Sequence, residues 1–199
     1  IIILGIAVIL IFVANPQFLP FLWIGGTGVG FIGIFLSLES YRLERLAIWR
    51  NPELYEKGYQ TMQGLYAIGS GGLFGVGLGE SMQKLGFVPE AQNDMIFSII
   101  CEELGLTGAV AVLVIFGLLI WRLMVIATWT KDLFGALLAA GVMGHIMIQV
   151  ILNVAVVTNT IPNTGITLPF VSYGGTSVVF LLLEMGIALS VSRGVRKEH

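Results

Sequence analysis

Read as apolar and polar positions, the chain is a series of long apolar runs divided by polar stretches of unequal length. The first run, residues 1–13, stops at Asn15-Pro16; the second, residues 18–38, is long enough to span a bilayer, whose roughly 30 Å hydrocarbon core takes about 20 helical residues. That second run holds Gly25, Gly26, Gly28, Gly30 and Gly33, a density suited to close helix packing in lipid rather than to a helix in water. Over residues 39–93 charges and turn signals take over, with breaks at Asn51-Pro52 and Gly69-Ser70-Gly71-Gly72. The interleaved Trp49, Tyr55, Tyr59, Tyr66, Phe74 and Phe87 predict a loop that packs as short helices against the membrane body. A long helix is then predicted from near Asn93 through Trp121, with its membrane span at about 103–126 after Glu102-Glu103. A short polar link leads to a span at 133–157, an uncharged loop at 158–172 with Pro162 and Pro169, and a last span at 173–192.

Composition turns this pattern into a fold class. A chain that is 56% hydrophobic and only 11% charged, with a mean hydropathy of +0.93, has a bilayer as its solvent. The expected fold is all-α: a polytopic transmembrane helix bundle, a single membrane domain over 1–199 with a large extracellular loop of short helices. The opening Ile1-Ile2-Ile3-Leu4 has neither an initiator Met nor a basic leader region, so the first span reads as truncated and the chain as a fragment. A net charge of -2 offers no electrostatic footprint for nucleic acid, and the lone Cys101 has no disulfide partner or metal-ligand spacing. Arg122, Lys131, Arg193, Arg196 and Lys197 flank regions separated by two spans, which places both on the cytoplasmic side and both polar loops outside.

The chemistry-bearing residues concentrate in residues 77–97, where a glycine-rich turn, Lys84, Glu90 and Asp94 precede a membrane helix. Two readings of this run stand side by side. In one, Asn93 or Asp94 caps the helix by accepting from its orphan amides. In the other, Asp94 is a general base at the membrane surface. Glu102 follows Asp94 and Ser98 at steps of four, which makes it either part of a polar floor on one helix face or a marker of the headgroup boundary. Deeper, His145, Gln149 and Asn153 recur every four residues, and Glu184 sits near the middle of the last span. An acid there is costly unless paired or wet, and matching depth predicts contact between His145 and Glu184.

The run Gly58-Tyr59-Gln60, Gln63, Ala67-Ile68-Gly69-Ser70-Gly71-Gly72-Leu73-Phe74-Gly75-Val76-Gly77-Leu78-Gly79, Gln83-Lys84-Leu85, Pro89-Glu90-Ala91 and Asp94 resembles the large extracellular loop of the FtsW/RodA/SpoVE (SEDS) family. Pro162-Asn163-Thr164-Gly165 through Ser172-Tyr173-Gly174-Gly175-Thr176-Ser177 resembles the family's signature before its last helix. Together the two motifs align nearly the whole chain with the family's C-terminal half, and the wording of the loop is nearer to division and sporulation members than to rod-elongation ones. The resemblance implies a peptidoglycan glycosyltransferase that polymerises lipid II at the outer face of the cell membrane with a class B penicillin-binding transpeptidase. Its essential aspartate corresponds to Asp94, although Gln92-Asn93 stand where His-Thr often precedes that residue.

On this reading a sugar hydroxyl attacks an anomeric carbon as undecaprenyl pyrophosphate departs, with Asp94 as the base. Lys84, Arg42 and Arg45 are candidates to stabilise the pyrophosphate, with surface pairing to Glu39, Glu44 or Glu90 as their alternative role. Glu90, Gln60, Gln63, Ser172, Tyr173 and Gly174 complete the candidate substrate-binding set, although the Gly174-Gly175 pair also suits a tight turn into the last helix. A divalent cation, Mg or Mn, bridging the pyrophosphate is an expectation from the family alone, since the sequence contains no compact metal-ligand motif. Two rival functions are a lipid II flippase, favoured by intramembrane His145 and Glu184, and a noncatalytic division scaffold acting through the outward loop.

Overall fold

The computed structural model of the chain describes residues 2–14, 40–83 and 92–194, with side chains in the second segment from Glu44 onward. The expected span at 18–38, the side chain of Arg42, and Lys84, Glu90, Arg196 and Lys197 lie outside the described residues. Among the described residues the structure is helical throughout its regular elements: α1 (Ile2–Ala14), α2 (Ser40–Arg50), two 3-10 turns (Pro52–Leu54 and Glu56–Gly58), α3 (Tyr59–Gly71), α4 (Ile96–Trp129), α5 (Leu133–Val157) and α6 (Gly175–Ser192). Of these, α4, α5 and α6 are long and apolar enough to cross a membrane, and α1 is a shorter apolar helix.

Apolar sequence and lipid exposure account for one another on α4. Val110, Val114, Ile115, Leu118 and Trp121 project outward, while Ala109, Phe116 and Leu123 join Val142, Ile146 and Val150 of α5 in the core. A helix that is apolar all round satisfies its backbone internally, so its outer face needs only an apolar solvent. The link between α4 and α5 is short and closes with Asp132 capping α5, its Oδ2 accepting from Gly135 N at 2.9 Å. α4 runs to Trp129, beyond the expected end near 121–126, because Thr128 and Thr130 turn their hydroxyls back onto helix carbonyls and carry the last turn. α5 contacts α1, α4 and α6 and is the central helix of the described bundle.

The His145–Glu184 contact expected from depth is present. His145 Nδ1 lies 2.8 Å and 3.0 Å from the two Glu184 carboxylate oxygens, joining α5 to α6 at a half-buried position. Asn153, two steps along the same stripe, is fully buried, and Gln149 between them is half-buried.

The helix start at Ile96 differs from the capping expectation. The N-cap position is Met95, whose side chain makes no capping hydrogen bond, and Ser98 donates its hydroxyl to the Met95 carbonyl at 2.7 Å.

α3 lies across the first turns of α4 through the buried small residues Gly64, Ala67 and Gly71. The following turn docks on a break in α4. Gly105 has φ 66 and ψ -167, a conformation that only glycine adopts readily. This break detaches backbone groups from the helix ladder, and the turn takes them up. Val76 N donates to Glu102 O at 2.9 Å and Gly77 N to Glu103 O at 3.1 Å, while Leu106 N and Thr107 N donate to Gly72 O and Leu73 O. A Cβ on Gly105 would collide with the Leu73 carbonyl and the Gly75 amide. Gly71, Gly75 and Gly105 are thus explained by two backbones lying side by side.

Gly105→Ala is expected to lower the thermal stability of the full-length protein in detergent by about 2 kcal/mol or more, since it combines backbone strain with a backbone collision. Gly117→Ala in the same helix, where an added Cβ meets nothing, should be neutral or slightly stabilising; equal losses at both positions would contradict the docking described.

Candidate functional site

One end of the bundle gathers the start of α4, the end of α5, residues 158–174, and the α2–α3 region. Asn153 fixes this meeting point. Its Nδ2 donates to the carbonyl oxygen of Asp94 at 2.8 Å and to that of Ile166 at 2.7 Å, so one buried amide tethers both the pre-helix turn and the second loop to α5. A second tether joins Tyr173 N to Gln92 O at 2.8 Å; α6 starts at Gly175 rather than at Tyr173, after Gly174 in an extended, non-helical conformation.

The second loop is joined to α2 by a reciprocal pair. Trp49 Nε1 donates to Asn159 O at 2.9 Å, and Asn159 Nδ2 returns a bond to Trp49 O at 3.4 Å. Asn159 sits at φ 54, the left-handed region that Asn tolerates better than most residues. Arg45 Nη1 adds a bond to Asn163 O at 3.3 Å.

Between these elements lies a polar cavity of roughly 340 Å³, within the range of small-molecule sites. Asp94 is on its wall with Arg45, Lys57, Gln60 and Thr61; Asn159, Asn163, Thr164 and Gly165 close the other side, and Trp49 contributes an aromatic surface. Asp94 is only 9% exposed, yet it lines this cavity, so its carboxylate is screened from bulk solvent while still facing a space a ligand can fill. Gln60 Nε2 donates to Asp94 Oδ1 at 3.2 Å. Lys57 pairs with Glu44 at 2.9 Å; both are substantially exposed, so the pair adds little stability.

Of the residues singled out by sequence, the fold brings Asp94, Arg45 and Gln60 into this cavity. Gln63 is elsewhere, in a groove with Tyr59, Met62 and Tyr66 on another face of α3. Ser172 is buried, and its hydroxyl accepts from Leu168 N at 2.8 Å, closing the turn at Pro169. Tyr173 is exposed, and neither it nor Gly174 lines the cavity. Glu102 does not line the cavity: it is 3% exposed and accepts from Ser81 Oγ and from Met82 N at 3.2 Å, clamping the loop that follows the glycine turn. Sequence reasoning did not single out Lys57, Trp49, Asn159, Asn163 or Thr164 for this cavity; Asn163 and Thr164 stood within the second motif without an assigned role. Among the described residues no three His, Cys, Asp or Glu side chains converge as a metal site.

Glu102→Ala is expected to release residues 80–83, seen as at least tenfold faster amide exchange at Met82 in the full-length protein; unchanged exchange would show that the clamp is dispensable.

Residues 1–197 match the family model described as cell cycle protein, FtsW/RodA/SpoVE. The chain is 46% identical over 192 residues to stage V sporulation protein E of Bacillus subtilis, covering 95% of this chain and 52% of that protein. It is 39% identical over 194 residues to a probable peptidoglycan glycosyltransferase FtsW of Trichlorobacter lovleyi, covering 96% of this chain and 51% of that one. A solved structure described as showing structural coordination of polymerization and crosslinking by a peptidoglycan synthase complex superposes with a TM-score of 0.78 at 28% identity, over 99% of this chain and 55% of its counterpart. The chain spans about half the length of these relatives.

Proposed function

The chain belongs to the FtsW/RodA/SpoVE family, and on that premise we propose that the protein containing it is a peptidoglycan glycosyltransferase that polymerises lipid II, with Asp94 as general base. The observation that carries this reading is the Asp94 carboxylate on the wall of a polar cavity that also holds Arg45, Lys57 and Trp49. A carboxylate screened from bulk water but open to a cavity can take a proton from a bound hydroxyl. In the reaction, the acceptor sugar oxygen bonds to the anomeric carbon of the donor and its proton passes to Asp94. The bond from that carbon to the pyrophosphate oxygen breaks, and the electron pair leaves with undecaprenyl pyrophosphate. Arg45 and Lys57 supply positive charge where the leaving group accumulates negative charge. Trp49 offers an apolar face, and Thr61, Asn159, Asn163 and Thr164 offer hydrogen-bonding groups suited to a sugar.

Arg122, Lys131 and Arg193 are exposed, and the positive-inside tendency puts them in the cytoplasm. The ends of α4 and α6 and the start of α5 meet there, as the packing of Gly135 against Thr130 and Val191 requires. Asp94 belongs to the opposite end and hence, in this reading, to the outer face. A class B penicillin-binding transpeptidase is the proposed partner, supported by the likeness to a subunit of a peptidoglycan synthase complex. The competing transport reading draws on the His145–Glu184 pair, which lines an apolar groove between α1, α5 and α6.

Full-length protein supplied with lipid II is expected to form glycan strands, and Asp94→Asn to lower kcat by about 10²- to 10⁴-fold, the usual contribution of a general base, with a smaller change in KM. Lipid movement without strands would favour transport, and strands undiminished in Asp94→Asn would remove the base assignment.

A further inference from the structure

A primary amide is directional: its nitrogen only donates and its oxygen only accepts. At the cavity wall two such amides are ordered in series. Gly165 N donates to Asn163 Oδ1 at 2.9 Å, which commits that oxygen and turns Asn163 Nδ2 toward Gln60. Asn163 Nδ2 approaches Gln60 Oε1 at 3.5 Å, and Gln60 Nε2 donates to Asp94 Oδ1 at 3.2 Å. The first of these two contacts is long and the second is an ordinary hydrogen bond. Arg45, which donates to the Asn163 carbonyl, holds the middle of the series from the α2 side.

We propose that Gln60 is the positioning residue of the base, aiming the Asp94 carboxylate and linking its orientation to the loop at 159–165 through Asn163. This goes beyond the substrate-binding role suggested by sequence resemblance and rests on the polymerase reading above. A neutral donor on one oxygen favours the ionised carboxylate, the form that accepts a proton. A glutamine can neither take that proton nor release one in competition. Because the loop helps to close the cavity, a sugar that draws Asn163 toward Gln60 fixes the base at the same time.

The test uses full-length protein and lipid II, with kcat and kcat/KM measured across pH for wild type, Gln60→Glu, Gln60→Ala and Asn163→Asp. Gln60→Glu places a second acid where 3.2 Å now separates Nε2 from Asp94 Oδ1, and two carboxylates so close cannot both ionise freely. The base works deprotonated, so its activity is lost as pH falls through its pKa. Raising that pKa moves the loss to higher pH, and the acidic limb of kcat/KM should shift upward by about one pH unit or more. Gln60→Ala should lower kcat by about tenfold or more with KM changed less. Asn163→Asp replaces the donor that faces Gln60 Oε1 and is expected to lower kcat while preserving the melting temperature, which covers the case of a misfolded Gln60 variant. An unmoved acidic limb in folded Gln60→Glu, or losses confined to KM in Gln60→Ala and Asn163→Asp, would overturn the positioning role. Wild-type protein that makes no strands would instead count against the polymerase reading.

Discussion

The architecture of this end of the bundle depends on one buried amide. Asn153 is fully enclosed, and its nitrogen bonds the carbonyls of Asp94 and Ile166, groups from chain segments on either side of α5 in sequence. Both carbonyls lie in irregular backbone that no helix ladder satisfies, and an unsatisfied buried polar group costs about 1–3 kcal/mol. A second bond between the two segments, Tyr173 N to Gln92 O, lies at the far end of the second loop, and Trp49 to Asn159 joins that loop to α2 instead. A membrane protein makes this dependence sharper, because apolar burial does little to hold helices together in lipid and polar contacts carry more of the specificity.

The same logic explains the glycine-rich loop. The helix break at Gly105 exposes backbone donors and acceptors at membrane depth or close to it, where they need protein partners. The turn at 72–77 supplies those partners, and the buried Glu102 pins its continuation through Ser81 and Met82. The buried Glu102 carboxylate thus serves the scaffold, whereas Asp94, just before the helix start, lines the cavity. The two acids have different fates because one is turned into α4's packing with the loop and the other precedes the helix.

Much of this was legible in the residues. Apolar runs placed α4, α5 and α6, because length and composition alone decide whether a helix suits lipid. The period of four selected Asn153 together with His145, and matching depth predicted the His145–Glu184 contact that the fold contains. The motif around Asp94 located the cavity's acid but not its surroundings. Trp49 meets Asn159 across 110 residues, and Arg45 meets Asn163 across 118, so local periodicity contains no trace of either contact. Gln63 lies on a different face of α3 from Gln60, a distinction that needs the helix's rotation and not only its presence. Ser172 resembled a ligand-binding hydroxyl because nothing in the motif reveals that the backbone of Leu168 already uses it.

The most direct measurement of the central tether is hydrogen exchange on full-length protein carrying Asn153→Leu, which keeps approximate volume and removes the amide. If the amide holds both segments, peptides covering residues 92–98 and 163–170 will lose protection together while the middle of α4 stays protected. Wild-type protection in both peptides would contradict the account, since the cavity's two walls would then be fixed by something other than Asn153.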